Sequence, residues 1–239
     1  ALASGVGGET STSKTEPLPR SLFDLVTHKN SCARTAGWRA ITFVLRSKIP
    51  VDIFDLTPAD AARYRGKEEV RVKGRRFVLH LVRALDGGGG SVQEQLEALQ
   101  LLLSLCQEES RRNPVGGWRG EVRVWQLVLP SVVSACSVDD AEPNATTPVQ
   151  PRVVLKALEV LRNIVANFPD QVLSLKHLKP LLSTLCTLSF LDAHNPQALK
   201  MEEAQREMIA MASQRALSSM LSHVTARKNL GWDTAALFG

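Results

Sequence analysis

The most concentrated chemical signal in this 239-residue chain is the basic segment 63–83. It reads RYRGKEEVRVKGRRFVLHLVR and holds eight basic and two acidic residues, which gives a local charge of +6. Clustered positive charge of this kind is typical of surfaces that bind phosphate groups or acidic partners. The alternative is a solvated helix face beside an apolar one that includes Val70, Phe77 and Leu81. The candidate contact residues are Arg63, Arg65, Lys67, Arg71, Lys73, Arg75 and Arg76.

The remaining reactive side chains show no spacing that is typical of catalysis or metal binding. The sequence contains no Cys-x-x-Cys, His-Glu-x-x-His or Gly-x-Ser-x-Gly motif. The glycine run 87–90 lacks the Gly-Lys-Ser/Thr ending of a phosphate-binding loop, so we interpret it as a connector. Asp52 and Asp55 would need a facing partner site, and His80 is typical of a core or boundary histidine. We predict no enzyme activity, metal or cofactor, and an enzyme site assembled from distant residues is the third hypothesis.

The composition favours helices. Apolar residues make up 44% of the chain but aromatic residues only 5%, so leucine and alanine supply most of the apolar content. The net charge of +5 permits contact with RNA, anionic lipid or an acidic protein. No apolar run reaches the roughly 18–20 residues that a membrane helix needs, so we expect no membrane span.

The four cysteines are far apart in sequence. Cys106, Cys136 and Cys186 lie in apolar helical runs, so we predict that they are small core residues. We do not expect a disulfide framework, and this cysteine usage indicates a reducing, intracellular compartment, either cytoplasmic or mitochondrial.

Apolar periodicity and capping residues predict a mostly helical chain. Ser91 and Glu94 form a predicted capping box. Segment 49–56 alternates enough to be a short strand, whereas the alternating segment 121–129 continues into an apolar helical run that favours a helix. The predicted helices lie approximately at 20–29, 33–47, 58–65, 68–85, 92–110, 120–136, 151–167, 170–178, 180–191 and 196–225.

The helix predicted at 151–167 has an apolar face that is unusually wide. We therefore expect it to contact neighbouring helices on more than one side. The face consists of Val153, Val154, Ala157, Leu158, Val160, Leu161, Ile164 and Val165. The last helix differs, because it carries methionines that suit either a core or an adaptable binding face. These are Met201, Met208, Met211 and Met220.

The composition divides the chain into four parts. Residues 1–17 are small and polar and are predicted to be a disordered tail. Residues 18–136 form an irregular helical half that contains the basic segment. Residues 137–150 are rich in proline, serine, threonine and acid and are a predicted linker, and 151–239 form a helical-repeat half. We expect the helical parts to make one continuous α domain.

Residues 151–191 resemble an armadillo or HEAT-type helical repeat. The resemblance covers about one repeat and rests on Pro151, Val154, Ala157, Leu158, Leu161, Ile164 and Val165, followed by Leu178, Pro180, Leu181, Leu182, Leu185 and Leu188. It implies an all-α fold, namely an armadillo-like, right-handed helical stack (α-solenoid-like). We leave open whether one short strand pair accompanies the helices. Such repeats mostly bind other macromolecules, and they define a fold rather than a site.

These observations predict a non-enzymatic scaffold or adaptor that binds other proteins in a larger assembly. The mechanism would be burial of an apolar groove between stacked helices, with basic residues at its rim that steer an acidic or phosphate-bearing partner. The alternative is RNA binding through segment 63–83, for example in an organellar ribonucleoprotein. Base stacking usually needs interleaved aromatics, and only Tyr64 and Phe77 are available there. No small-molecule substrate is evident from the sequence.

Overall fold

The structure is a computed structural model that describes residues 16–17, 20–47, 51–52, 79–86, 91–112, 124–137, 150–167, 175–191 and 200–228. The expected helix at 58–65 and the first part of the one at 68–85 lie outside these residues. The helices of the described chain are α1 (Arg20–Val26), α2 (Ser31–Arg46), α3 (79–85), α4 (Val92–Arg112), α5 (Val124–Cys136), α6 (Pro151–Asn167), α7 (Leu175–Ser189) and α8 (Glu203–Lys228).

The described chain is all-helical apart from one short bridge. In this bridge Glu16–Pro17 runs parallel to Val51–Asp52. Two residues on each side cannot form a stable sheet, so no strand pair of the kind considered for segment 49–56 is seen among the described residues beyond this contact. The other ambiguous segment, 121–129, is helical from Val124 onward, which confirms the favoured interpretation for its described part.

Helices α2 and α4 lie side by side and run in the same direction. Among the polar contacts that join them, three involve arginines of α2, and both partners advance along the chain from one contact to the next: Arg34 with Glu94, Arg39 with Glu97, and Arg46 with Ser104. The partners are 58 or 60 residues apart in every case, so the register between the two helices is nearly constant. The chain between them must therefore return to the end at which α2 begins.

Helix α6 lies at the centre of the packing. It contacts α4, α5 and α8, which confirms the expectation that its wide apolar face meets several neighbours. All eight residues of that face are buried. On its outer side Lys156 Nζ donates to Glu159 Oε2 at 2.8 Å. The sequence pattern and the burial therefore agree in this helix, position by position.

Alternate helices contact each other in chain order. Helix α2 packs on α4, α4 packs on α6, and α6 packs on α8. Helices α1, α5 and α7 each pack on the helix that follows them, and α5 also packs on α7. This order places α2, α4, α6 and α8 in one row and α5 beside α7 in a second.

Helix α7 continues through Pro180. We expected separate helices at 170–178 and 180–191, and this is wrong for the described residues, because Leu175–Ser189 is one helix. A proline inside a helix costs about 3 kcal/mol, since it removes an N–H and crowds the preceding turn. Burial of an apolar stripe on both sides of the proline offsets that cost. The stripe consists of Leu178, Leu181, Leu185 and Leu188.

The buried apolar residues form one continuous core that extends from Val26 in α1 to Met220 in α8. Two hydroxyl groups are part of the contact between α7 and α8. Ser213 Oγ donates to the Leu185 carbonyl at 2.7 Å, and Ser189 Oγ lies 3.2 Å from Ser213 Oγ. Both serines are buried, so these bonds satisfy groups that would otherwise be costly to remove from water.

Candidate functional site

The seven predicted contact residues of the basic segment, at positions 63 to 76, lie outside the described residues. Arg83, which ends the segment, lies on α3 and is described. It lines a cleft together with residues of the α1–α2 connection and of α4. The structure therefore places Arg83, with His80 of the same segment, in a charged environment whose members from α2, α4 and the α1–α2 connection were not predicted.

An ion pair between Arg34 and Glu94 joins the first turns of α2 and α4 at this cleft. Arg34 Nε lies 2.6 Å from Glu94 Oε1, and Arg34 Nη2 lies 2.9 Å from Glu94 Oε2, so the contact is bidentate. Ser31 Oγ donates to the same Oε2 at 3.0 Å. The Glu94 side chain is only 2% exposed, so these partners replace the water that a carboxylate would otherwise bind.

Ser91 caps α4 as predicted, but Glu94 does not complete the predicted capping box. The Glu94 N–H donates to Ser91 Oγ at 3.2 Å, which is the expected cap. In a capping box the Glu94 carboxylate would accept the Ser91 N–H. That N–H instead donates to Ser31 Oγ at 3.4 Å. This half of the prediction is wrong because Arg34, distant in sequence, offers the carboxylate a full positive charge.

Arg34 also fixes the connection between α1 and α2. Its Nη1 donates to the His28 carbonyl at 3.0 Å and to the Lys29 carbonyl at 2.8 Å. Asn30 caps α2, because its Oδ1 accepts the Cys32 N–H at 2.8 Å, and its own N–H donates to His28 Nδ1 at 3.0 Å. The backbone that carries the side chains of His28 and Lys29 is therefore held in place.

The cleft between these groups has a volume of about 250 Å³ and is called the charged cleft below. It is lined by Thr27, His28, Lys29, Arg34, His80, Arg83, Ala84 and Glu94. The lining residues carry a formal charge of +2 when both histidines are neutral. Hydrogen bonds to Glu94 raise the pKa of Arg34, so its guanidinium group stays charged.

A second, more apolar opening of about 410 Å³ lies between α5 and α7 and is called the α5–α7 groove below. It is lined by Leu129, Pro130, Val133, Ser134, Ser137, Pro180, Ser183 and Thr184. The lining combines apolar side chains with four hydroxyl groups, so the groove offers both apolar contact and hydrogen bonding. The sequence predicts an apolar groove between stacked helices but not the residues that line it. The prolines inside α5 and α7 are the sequence signal that could have identified these residues.

Several large apolar side chains are exposed on the described surface. Phe190, at the end of α7, is 79% exposed, and Met208 and Met211 on α8 are about half exposed. Met201 and Met220 are buried, and Met201 precedes α8 rather than belonging to it. The methionines therefore divide between the core and the surface.

All four cysteines are free thiols. Cys106 and Cys136 are buried as predicted, and burial raises the pKa of both thiols. The prediction that Cys186 is a core residue is wrong, because it is exposed. It follows the buried Leu185, and one residue turns a helix by about 100°, which takes Cys186 away from the buried stripe. Among the described residues no three His, Cys, Asp or Glu side chains meet as a metal site requires.

Comparison of the chain with protein-family models, with curated proteins and with solved structures finds no match. Within the described part of the chain, no helix combines the length and apolarity that spanning a bilayer requires. The chemistry of the charged cleft and of the α5–α7 groove therefore carries the functional proposals.

Proposed function

We propose that this protein is a non-enzymatic helical scaffold or adaptor that binds a segment of another protein in the α5–α7 groove. The observation that carries the proposal is the groove itself, an opening of about 410 Å³ with an apolar lining and four hydroxyl groups. A peptide segment presents apolar side chains and backbone polar groups together, and this lining can meet both.

The order of helix contacts supports a stack of helical hairpins. The pairs α1–α2, α5–α6 and α7–α8 are consecutive in sequence, and the second helices of the pairs contact each other through α4 in chain order. Repeat proteins of the armadillo and HEAT type also stack short units that contact their neighbours. The parallel direction of α2 and α4 fits this arrangement, because equivalent helices of successive units run the same way. We therefore propose an armadillo-like, right-handed stack.

The two internal prolines give the groove a feature that a regular helix surface lacks. Pro130 and Pro180 have no N–H, so the carbonyls of Gln126 and Lys176 lose their intrahelical donors. A partner segment that enters the groove meets both proline rings and Val133, while the hydroxyl groups of the lining can bond to its backbone. The groove thus suits an extended peptide better than a second helix, whose N–H groups are already bonded.

Adding bulk and charge to both walls of the groove tests the proposal. Ser134→Arg combined with Thr184→Arg places a long cation on each of the two helices. Neither native side chain is buried, so the variant should fold. Ser21→Arg combined with Ser218→Arg is the matched control, because both serines are exposed on α1 and α8, away from the residues that line the groove.

The assay compares the proteins that each tagged form captures from cell extract, quantified by mass spectrometry with and without nuclease. Partners of the groove should fall at least tenfold with the double groove variant, should be retained by the control, and should survive nuclease. Any partner so identified is then titrated as a purified protein. Equal capture by the groove variant and the control would contradict the proposal.

RNA binding through segment 63–83 is the second candidate function. The observation that favours it is that Arg83 lines a cleft whose residues carry a formal charge of +2. Affinity for single-stranded RNA should then fall steeply with salt, and Arg75→Ala with Arg76→Ala should reduce the salt slope by about 1.4. An unchanged slope would remove this candidate.

A further inference from the structure

The charged cleft is lined by residues of α2, α3, α4 and the α1–α2 connection, whereas the α5–α7 groove is lined by other helices. Peptide binding in the groove therefore does not account for the cleft. Among the described residues that line the cleft Glu94 is the single acid, and it is engaged by Arg34 and Ser31. The residues that line the cleft still carry a formal charge of +2. A phosphate monoester carries about −1.5 to −2 charges at pH 7, so a lining of positive formal charge attracts it.

Hydrogen bonds hold the backbone that carries the side chains for binding such an anion. Arg34 holds the carbonyls of His28 and Lys29, and Asn30 caps α2 while its N–H binds His28 Nδ1. Because Nδ1 accepts this bond, the proton of the neutral imidazole lies on Nε2, where it is a donor. Lys29 contributes an ammonium group from the next position. A ligand would therefore find donors whose backbone needs little further ordering.

The size of the cleft restricts what it can hold. Its volume of about 250 Å³ lies below the range of about 300–1,000 Å³ that is usual for drug-sized ligands. A phosphate group with a few attached atoms fits this volume.

We propose that the charged cleft binds the phosphate group of a small phosphomonoester, or inorganic phosphate itself. Lys29 and the His28 imidazole contact the phosphate oxygens, and Arg83 contributes positive charge from α3. Arg34 is a positioning residue, because its guanidinium group is engaged by Glu94 and by the two carbonyls.

Titration of the full-length protein with inorganic phosphate, glycerol phosphate and a ten-nucleotide uridine RNA tests the proposal. Binding is measured by calorimetry at constant ionic strength. Lys29→Gln should raise the Kd for phosphate about tenfold, which is the usual effect of losing one charge-assisted hydrogen bond. Lys29→Glu should abolish saturable binding. Lys179→Glu is the matched control, since Lys179 is an exposed lysine on α7, and it should bind phosphate as the native protein does.

Each outcome decides between explanations. Saturable binding that depends on Lys29 supports the site, and tighter binding of glycerol phosphate than of phosphate would assign it to an esterified ligand. Equal affinities would assign it to the free ion. Failure of both phosphates to saturate the protein overturns the proposal, as do equal losses with Lys29→Glu and Lys179→Glu. Binding of the RNA alone would also overturn it and would assign the cleft to nucleic acid, while leaving the α5–α7 groove untested by this experiment and its proposal intact.

Discussion

Replacing Arg34 by methionine removes a guanidinium group, keeps an unbranched stem and leaves the Glu94 carboxylate in place. That carboxylate is 2% exposed and loses bonds of 2.6 and 2.9 Å. Breaking a fully buried pair costs about 3–5 kcal/mol, whereas an exposed pair contributes about 0–1 kcal/mol. The Arg34 side chain is 18% exposed, and the Ser31 hydroxyl still donates to Glu94. We therefore expect the free energy of unfolding to fall by about 2–3 kcal/mol.

Urea unfolding followed by circular dichroism measures this loss. Arg39→Met is the matched control, because Arg39 pairs with Glu97 at 2.7 Å between the same two helices but is 64% exposed. It should cost less than about 1 kcal/mol. Adding Glu94→Met to Arg34→Met should restore part of the loss, since no buried charge then remains unpaired. Equal losses of stability in the two arginine variants, or a further loss when Glu94→Met is added, would contradict this expectation.

Three other predictions concern close packing and the burial of thiols. Gly37→Ala should lower the free energy of unfolding by about 1–3 kcal/mol in the same urea experiment, because the new Cβ would lie 2.9 Å from Val26 Cγ1 and 3.0 Å from the Val26 nitrogen; unchanged stability would refute it. Cys186 should react with iodoacetamide in the folded protein, whereas Cys106 and Cys136 should react only after unfolding, as peptide mass spectrometry can show. Because burial raises the pKa of Cys106 and Cys136, these thiols stay protonated in the folded state while unfolded thiols ionise above about pH 8.5. Stability should therefore fall as the pH rises above that value, and Cys106→Ala should reduce the slope.

Local pattern predicts α6 well and α7 less well, for physical reasons. The helix expected at 151–167 is found at Pro151–Asn167, because its apolar residues define both its length and its buried face. In α7 the prediction ends one helix before Pro180, because proline lacks a backbone N–H. Leucines on both sides of Pro180 stabilise one continuous helix through packing. The prediction for Cys186 considers the apolar character of the run but not the angle of the residue around the helix.

The charged cleft could not be predicted from the sequence, because its members belong to distant segments. His28 and Lys29 are more than 50 residues away from His80 and Arg83. The sequence predicts where positive charge accumulates along the chain, but not that α2 and α4 lie in parallel. The same limitation explains the capping box, since a local motif cannot show that Arg34 takes the Glu94 carboxylate.

The direction of α2 and α4 connects the packing with the charge of the cleft. In an antiparallel pair each helix start lies beside a helix end, and the partial charges oppose each other. In this parallel pair both starts lie at the same end, and each carries a partial charge of about +0.5. Glu94 lies in the first turn of α4 and accepts a hydrogen bond from Ser31 at the start of α2. One carboxylate therefore offsets the partial positive charge at both helix starts. Arg34 then pairs with that carboxylate, so positive charge prevails at the cleft. The parallel packing of α2 and α4 therefore brings these two helix starts to the end of the pair where the proposed anion site lies.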